Sequence, residues 1–200
     1  MEDIKLSVII PCYNAEPWVL KAIQSVPCRS DIEIIVIDDC STDGSWSELK
    51  LYHFYSKQNI VLLHNDSNMG VGYTVNRGYD VAQGEYVVLL GADDYFVNLN
   101  NAMDLLDGAD LIYFSLEIND GTFFIVDEKS KYDYCGSTKF MRRKFVGDTR
   151  CPEIRAREDY YFYQELMKKN PTEKYIDKEV MYKHYFFPRE GSLTWNACHK

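Results

Sequence analysis

Two aspartates stand side by side in the run Leu89-Leu90-Gly91-Ala92-Asp93-Asp94-Tyr95, and a second pair opens Asp38-Asp39-Cys40-Ser41-Thr42-Asp43-Gly44. Hard carboxylate oxygens suit Mg2+ or Mn2+, and the cysteines show no C-x-x-C spacing that would favour zinc. Neighbouring side chains on an extended backbone point to opposite sides, so Asp93 and Asp94 can serve two different partners. A further acid, Asp159, shares the i, i+3, i+4, i+7 stripe with Phe162, Tyr163 and Leu166. That spacing predicts a carboxylate in the first turn of a helix, on its inward face. There the helix N-terminus favours the ionised form, which suits a proton acceptor and equally an acid that merely complements the helix dipole. Glu158 falls off the stripe and is the weaker candidate.

The elements that must hold these acids alternate over the first hundred residues. Apolar runs at Leu6–Cys12, Ile32–Ile37, Ile60–Leu63 and Glu85–Leu90 read as strands. Helical spacing is expected at Glu16–Val26, with Pro17 in its first turn, at Asp43–Gln58 and at Gly70–Gln83. Strands apolar on both faces and separated by helices predict parallel β-α-β units covered on both sides. Ligands of such sheets bind beyond the carboxyl ends of the strands, where Pro11-Cys12-Tyr13-Asn14, Asp38-Asp39 and Asp93-Asp94 would lie along one edge. Asp43 or Thr42 is expected to cap the second helix. After residue 100 the pattern changes. Asp110–Ile118 and Thr122–Val126, split by Asn119-Asp120-Gly121, predict a hairpin. A helix is expected from Glu158 to Lys169, ended by Asn170-Pro171, and the tail from Lys174 to Phe187 is strand-like and aromatic.

With 200 residues, 46% hydrophobic and 26% charged, the chain fits one soluble α/β domain. We divide it into a front half, 1–96, and an antiparallel or mixed back half, 97–200. No apolar run approaches the length of a membrane span, and the acidic start lacks a signal-type apolar segment, so a cytoplasmic location is expected. A net charge of −9 disfavours a generally nucleic-acid-binding surface, yet residues 139–157 carry seven cations against two acids. That stretch reads either as a solvated face or as a contact for an anionic acceptor, and a nucleic-acid acceptor stays open. The six cysteines are expected to be reduced and non-catalytic, with Cys12 and Cys40 acting as small hydrophobes. His53 and His64 read as structural or exposed.

The stretches "SVIIPCYN" (7–14), "EIIVIDDCSTDGS" (33–45), "NMGVGYTVNRGYDVAQGEYVVLLGADD" (68–94) and "REDYYFYQEL" (157–166) resemble, in order and separation, the motifs of family 2 glycosyltransferases with the GT-A fold. The resemblance implies inverting transfer of a sugar from a nucleotide diphosphate sugar, UDP-linked, to an acceptor hydroxyl, with Mn2+ or Mg2+ assisting departure of the diphosphate. It implies that Pro11 and Tyr13 pack on the nucleotide base, that Asp39, with Asp38 beside it, binds the base, and that Asn76 lies near the same pocket. Asp93 would serve ribose and metal, Asp94 the metal, and Asp159 would be the catalytic base. The acceptor would be a glycan, lipid-linked or otherwise, anionic if the basic stretch contributes.

One departure is plain: family members commonly read D-x-D-D where this chain has Gly91-Ala92-Asp93-Asp94. In the tail, the Arg and His of a family segment R-x-H-x-x-S align with Phe187 and Arg189, which leaves a phosphate contact from Arg189, a ligand role for His184 or sugar stacking on Trp195 open. Two rival readings remain at this point. One is a degenerate GT-A module that binds without turnover. The other is a nucleotidyltransferase, disfavoured because Cys12–Glu16 offers no Gly-rich, Lys- or Arg-bearing loop.

Overall fold

The computed structural model describes residues 3–131, 138–154 and 157–185. Its strands are β1 (Leu6–Cys12), β2 (Ile32–Asp38), β3 (Ile60–His64), β4 (Tyr86–Leu89), β5 (Tyr95–Val97), β6 (Leu111–Tyr113), β7 (Ser115–Ile118), β8 (Phe123–Phe124), β9 (Lys139–Arg142), β10 (Glu173–Tyr175) and β11 (Tyr182–Tyr185). The helices are α1 (Val19–Gln24), α2 (Ser45–Tyr55), α3 (Val71–Val81), α4 (Leu99–Ala102), α5 (Arg143–Val146) and α6 (Glu158–Met167).

A seven-stranded sheet runs in the order β10-β6-β9-β4-β1-β2-β3. β3, β2, β1 and β4 are mutually parallel, as the alternation predicts, whereas β9 is antiparallel to both β4 and β6. Strict side-chain alternation divides the core. Val8, Ile10, Ile34, Val36 and Val88 meet Val19, Ala22 and Ile23 of α1 and Leu49 of α2. On the other face Ile9, Ile35, Ile37 and Val87 meet Val75 and Tyr79 of α3 and Phe162, Tyr163 and Leu166 of α6. In α2 Leu49 is buried against the sheet, whereas Phe54 lies 78% exposed.

The back half differs from its expected form in three ways. The run from Asp110 to Ile118 breaks at Phe114: β6 joins the main sheet, while β7 and β8 form the expected hairpin in a second sheet, ordered β5-β11-β7-β8. The strand-like tail divides likewise, β10 pairing with β6 and β11 lying between β5 and β7. The start of the basic stretch, read as a solvated face or an acceptor contact, folds as β9 in the interior of the main sheet with Lys139 buried. The end of α6 follows its sequence signals: Asn170 takes a left-handed conformation (φ 53°) and Pro171 prevents continuation.

Candidate active site at the carboxyl edge of the sheet

The ends of β1, β2 and β3 are level, with Cys12 opposite Asp38 and Asp38 opposite His64. The loops that leave β1 and β2 are laced together by side chain–backbone bonds. Thr42 N–H donates to Asn14 Oδ1 (2.8 Å), Ala15 N–H to Ser45 Oγ (2.9 Å) and Glu16 N–H to Asp43 Oδ2 (3.1 Å). Asp43 Oδ1 also accepts from Ser45 N–H at 3.0 Å at the start of α2, the capping role expected of it. These contacts hold Tyr13 just past β1, 45% exposed, with Pro11 half-buried behind it.

Asp38 and Asp39 diverge, and both are buried. Asp39 accepts from the backbone N–H groups of Met69 (2.8 Å) and Gly70 (2.9 Å) and from the Asn65 amide (2.6 Å), which pins the loop entering α3. Asp38 Oδ2 accepts from Ser41 N–H at 3.1 Å and lies 2.9 Å from Nδ1 of His64, whose ring stacks on Trp46. Its Oδ1 is buried without a hydrogen-bond partner. His64 is thus structural, as expected. The Cys12 thiol beneath these acids is pushed up to about 12 by burial and, secondarily, by the Asp38 charge.

β4 ends into a tight turn in which Asp94 N–H donates to the Gly91 carbonyl at 3.0 Å. Asp93 is half-buried, whereas Asp94 is 3% exposed and its Oδ2 accepts from Nζ of Lys183 at 3.0 Å. Lys183 is itself 1% exposed and comes from β11, where it pairs with Phe96 of β5. Sequence reading missed Lys183. Its signal is weak: a single lysine within a strand of aromatic residues.

Asn76, expected near the nucleotide pocket, spends its amide on the protein backbone. Its amide oxygen accepts from Cys151 N–H (2.8 Å) and its NH2 donates to the Cys151 carbonyl (2.9 Å), tying α3 to the segment that leads into α6. Gly72 of α3 makes a second close approach, since a Cβ there would sit 2.6 Å from the Pro152 carbonyl oxygen. Arg157 then adopts a left-handed φ of 67° and α6 begins with Glu158 and Asp159. Both carboxylates are half-buried, and Asp159 Oδ1 accepts from Tyr160 N–H at 2.8 Å. The Glu158 carboxyl is pushed up, first by burial and then by the Asp159 charge, a desolvation the stripe did not reveal. The expected inward face of α6 is present: Phe162 lies 5.5 Å from Tyr79, and the Tyr163 hydroxyl lies 2.8 Å from that of Tyr113.

Residues 7–98 match the family model described as Glycosyl transferase family 2. The putative teichuronic acid biosynthesis glycosyltransferase TuaG of Bacillus subtilis is 30% identical over 186 residues, covering 84% of this chain and 73% of TuaG. The chain belongs to glycosyltransferase family 2. The poly(ribitol-phosphate) beta-N-acetylglucosaminyltransferase TarS of Staphylococcus aureus is 32% identical over 97 residues, 46% of this chain and 17% of TarS. A crystal structure of TarS residues 1–349 with UDP-GlcNAc superposes with a TM-score of 0.83 at 24% identity, over 96% of this chain and 61% of that one. A mannosyltransferase from Pyrobaculum calidifontis, solved with GDP-Man and Mn2+, has a TM-score of 0.72 at 18% identity, over 98% of this chain and 60% of that one. The chain therefore spans about three fifths of the solved relatives and shares their GT-A fold.

In this family 2 glycosyltransferase, the basic stretch works largely as scaffold. Arg143 binds the carbonyls of Gln83 and Gly84, and Arg150 binds Asp80 and the carbonyls of Gly147 and Thr149. The Lys139 ammonium lies 4.7 Å from the Tyr163 ring centroid, under α6. Among the described residues, Lys144 and Arg157 make no ion pair. Arg155, Phe187, Arg189 and Trp195 lie outside the described residues. His184 stacks on Tyr95 with centroids 4.5 Å apart.

A divalent cation would find hard carboxylate donors in Asp93 and Asp94 but no preformed cage. Among the described residues no three His, Cys, Asp or Glu side chains are grouped to hold an ion. That donor set fits a cation of the Mg2+ type, which is held by one or two carboxylates together with substrate phosphates. No helix among the described residues is long and apolar enough to cross a membrane.

Proposed function

We propose that this domain is an inverting glycosyltransferase that uses a UDP-linked sugar and an acceptor hydroxyl on an anionic glycan or polyol-phosphate polymer. The observation that carries the reading is the shared edge: Tyr13, the Asp39 carboxylate and the Asp93–Asp94 turn all follow the ends of adjacent parallel strands. Pro11 and Tyr13 pack on the base. Asp38 and Asp39 form the floor of that end, and Asp39, with three of its roughly four acceptor positions filled, keeps one for a base N–H. Asn76 serves the site through Cys151 rather than through the nucleotide.

Asp93 and Asp94 would hold a cation that accompanies the diphosphate, and when bound it would supply stabilisation of the charge on the leaving group. Asp159 accepts the acceptor's hydroxyl proton as its oxygen attacks the anomeric carbon in line with the departing diphosphate. The UDP donor is supported by TarS, whose solved structure holds UDP-GlcNAc, and the acceptor class by the poly(ribitol-phosphate) in that enzyme's name.

The test is release of free nucleoside diphosphate from a panel of nucleotide sugars with Mn2+ and candidate polymers. Turnover of UDP-sugars that Asp159→Asn removes, while nucleotide binding persists, supports the proposal. Binding without turnover on every acceptor would make this a non-catalytic module, and pyrophosphate release from a nucleoside triphosphate would make it a nucleotidyltransferase.

A further inference from the structure

Asp94 and Lys183 form an ion pair at 3.0 Å in which the side chains are 3% and 1% exposed. The same Asp94 oxygen leans over Gly91, where a Cβ would come within 2.8 Å of it and within 3.1 Å of Asp93 Oδ1. A side chain at 91 would therefore have to displace Asp94 Oδ2, the oxygen that Lys183 holds. The Lys183 ammonium already engages the Asp94 carboxylate charge. A divalent ion approaching Asp94 must share it with a positive charge already in contact, in a region where water screens little.

We propose that Lys183 is the resident counter-cation of this site. It positions the Asp94 carboxylate and suppresses divalent-cation binding to the protein alone, so that the ion enters as its complex with the nucleotide diphosphate. The proposal rests on the transferase reading. A diphosphate brings two or more negative charges and its own oxygen ligands, which reverses the charge balance that Lys183 sets and completes the coordination Asp93 and Asp94 begin. Lys183 is a positioning residue; it acts through Asp94.

Mn2+ binding is followed by the loss of the free-ion paramagnetic resonance signal, with and without UDP, in wild type, Lys183→Met and Lys183→Arg. Circular dichroism verifies that each is folded. Wild type and Lys183→Arg are expected to bind Mn2+ only with UDP present, whereas Lys183→Met binds Mn2+ alone at least about tenfold more tightly than wild type. Equal Mn2+ affinity of wild type and Lys183→Met without UDP overturns the proposal. So does wild type binding Mn2+ alone as tightly as it does with UDP, a result that stands even if Lys183→Met does not fold. Failure of every variant to bind UDP would refute the donor reading instead, and the Mn2+ comparison of wild type with Lys183→Met would still decide the role of Lys183.

Discussion

Asn76 grips Cys151 by both ends of one peptide position, accepting from its N–H at 2.8 Å and donating to its carbonyl at 2.9 Å. This joins α3 to the segment that leads into α6 and Asp159. Replacing Asn76 by Ala leaves two backbone groups in a partly buried place without their partner, at a cost of about 1–3 kcal/mol. Denaturant unfolding is expected to show that loss. Because the segment before α6 loosens while the loops after β1 and β2 keep their contacts, the proposed roles predict that kcat falls more than the KM for the donor rises.

Asp159 and Glu158 sit side by side and should separate sharply. Asp159→Asn is expected to lower kcat by about 10²–10⁴, whereas Glu158→Gln stays within about tenfold of wild type. Steady-state release of nucleoside diphosphate measures both. The reverse ranking would transfer the base assignment to Glu158.

The Glu158 carboxyl also carries a pH signature. Burial, then the Asp159 charge, raises it above its ordinary value of 4.5 in the folded protein, so the folded state holds the proton more tightly than the unfolded chain. Its contribution to stability is complete below the unfolded value and is lost as pH rises through the folded one. Glu158→Gln should therefore raise the melting temperature at pH 7, with the gain shrinking toward pH 4. Calorimetric scans across that range give the answer, and a lower melting temperature for the variant at pH 7 would contradict the burial.

Gly91 answers to space rather than to charge. A Cβ there would press on Asp94 Oδ2 at 2.8 Å, an atom held in place by buried Lys183. Gly91→Ala is expected to destabilise by about 1–3 kcal/mol, the range of overpacked interior positions. Gly91→Asp adds a third carboxylate to the same turn and should cost more than Ala at neutral pH. Thermal melts of the two variants decide this; an Asp variant as stable as wild type would mean that the turn opens readily.

Four cysteines among the described residues are free, and their reactivities should differ. Burial, as the main cause, pushes the thiols of both Cys12 and Cys151 up to about 12, whereas Cys28 is exposed. Since the thiolate is the reactive form, iodoacetamide at pH 8 should modify Cys28 and spare Cys12 and Cys151 until denaturant is added. Peptide mapping by mass spectrometry reads the pattern.

The sequence by itself determined the front half. The stretch Ile34–Ile37 is apolar at every position, a pattern that fits a strand covered on both faces. The strand ends, and with them Tyr13, Asp38, Asp39 and the Asp93–Asp94 pair on one edge, follow from that alone. The Asp159 stripe set the inward face of α6 in the same way.

Tertiary structure decided what each polar group touches. Tyr113 ends one short strand and Ser115 begins another in a different sheet, a division that no local periodicity records. Lys139 and Lys183 look like surface cations in a linear reading, yet long-range strand pairing buries both, one under Tyr163 and one against Asp94. Asn76 meets a backbone 75 residues away. Burial and partner identity at these positions come from chain segments far apart in sequence. Period and composition, which are local properties, carry no record of them.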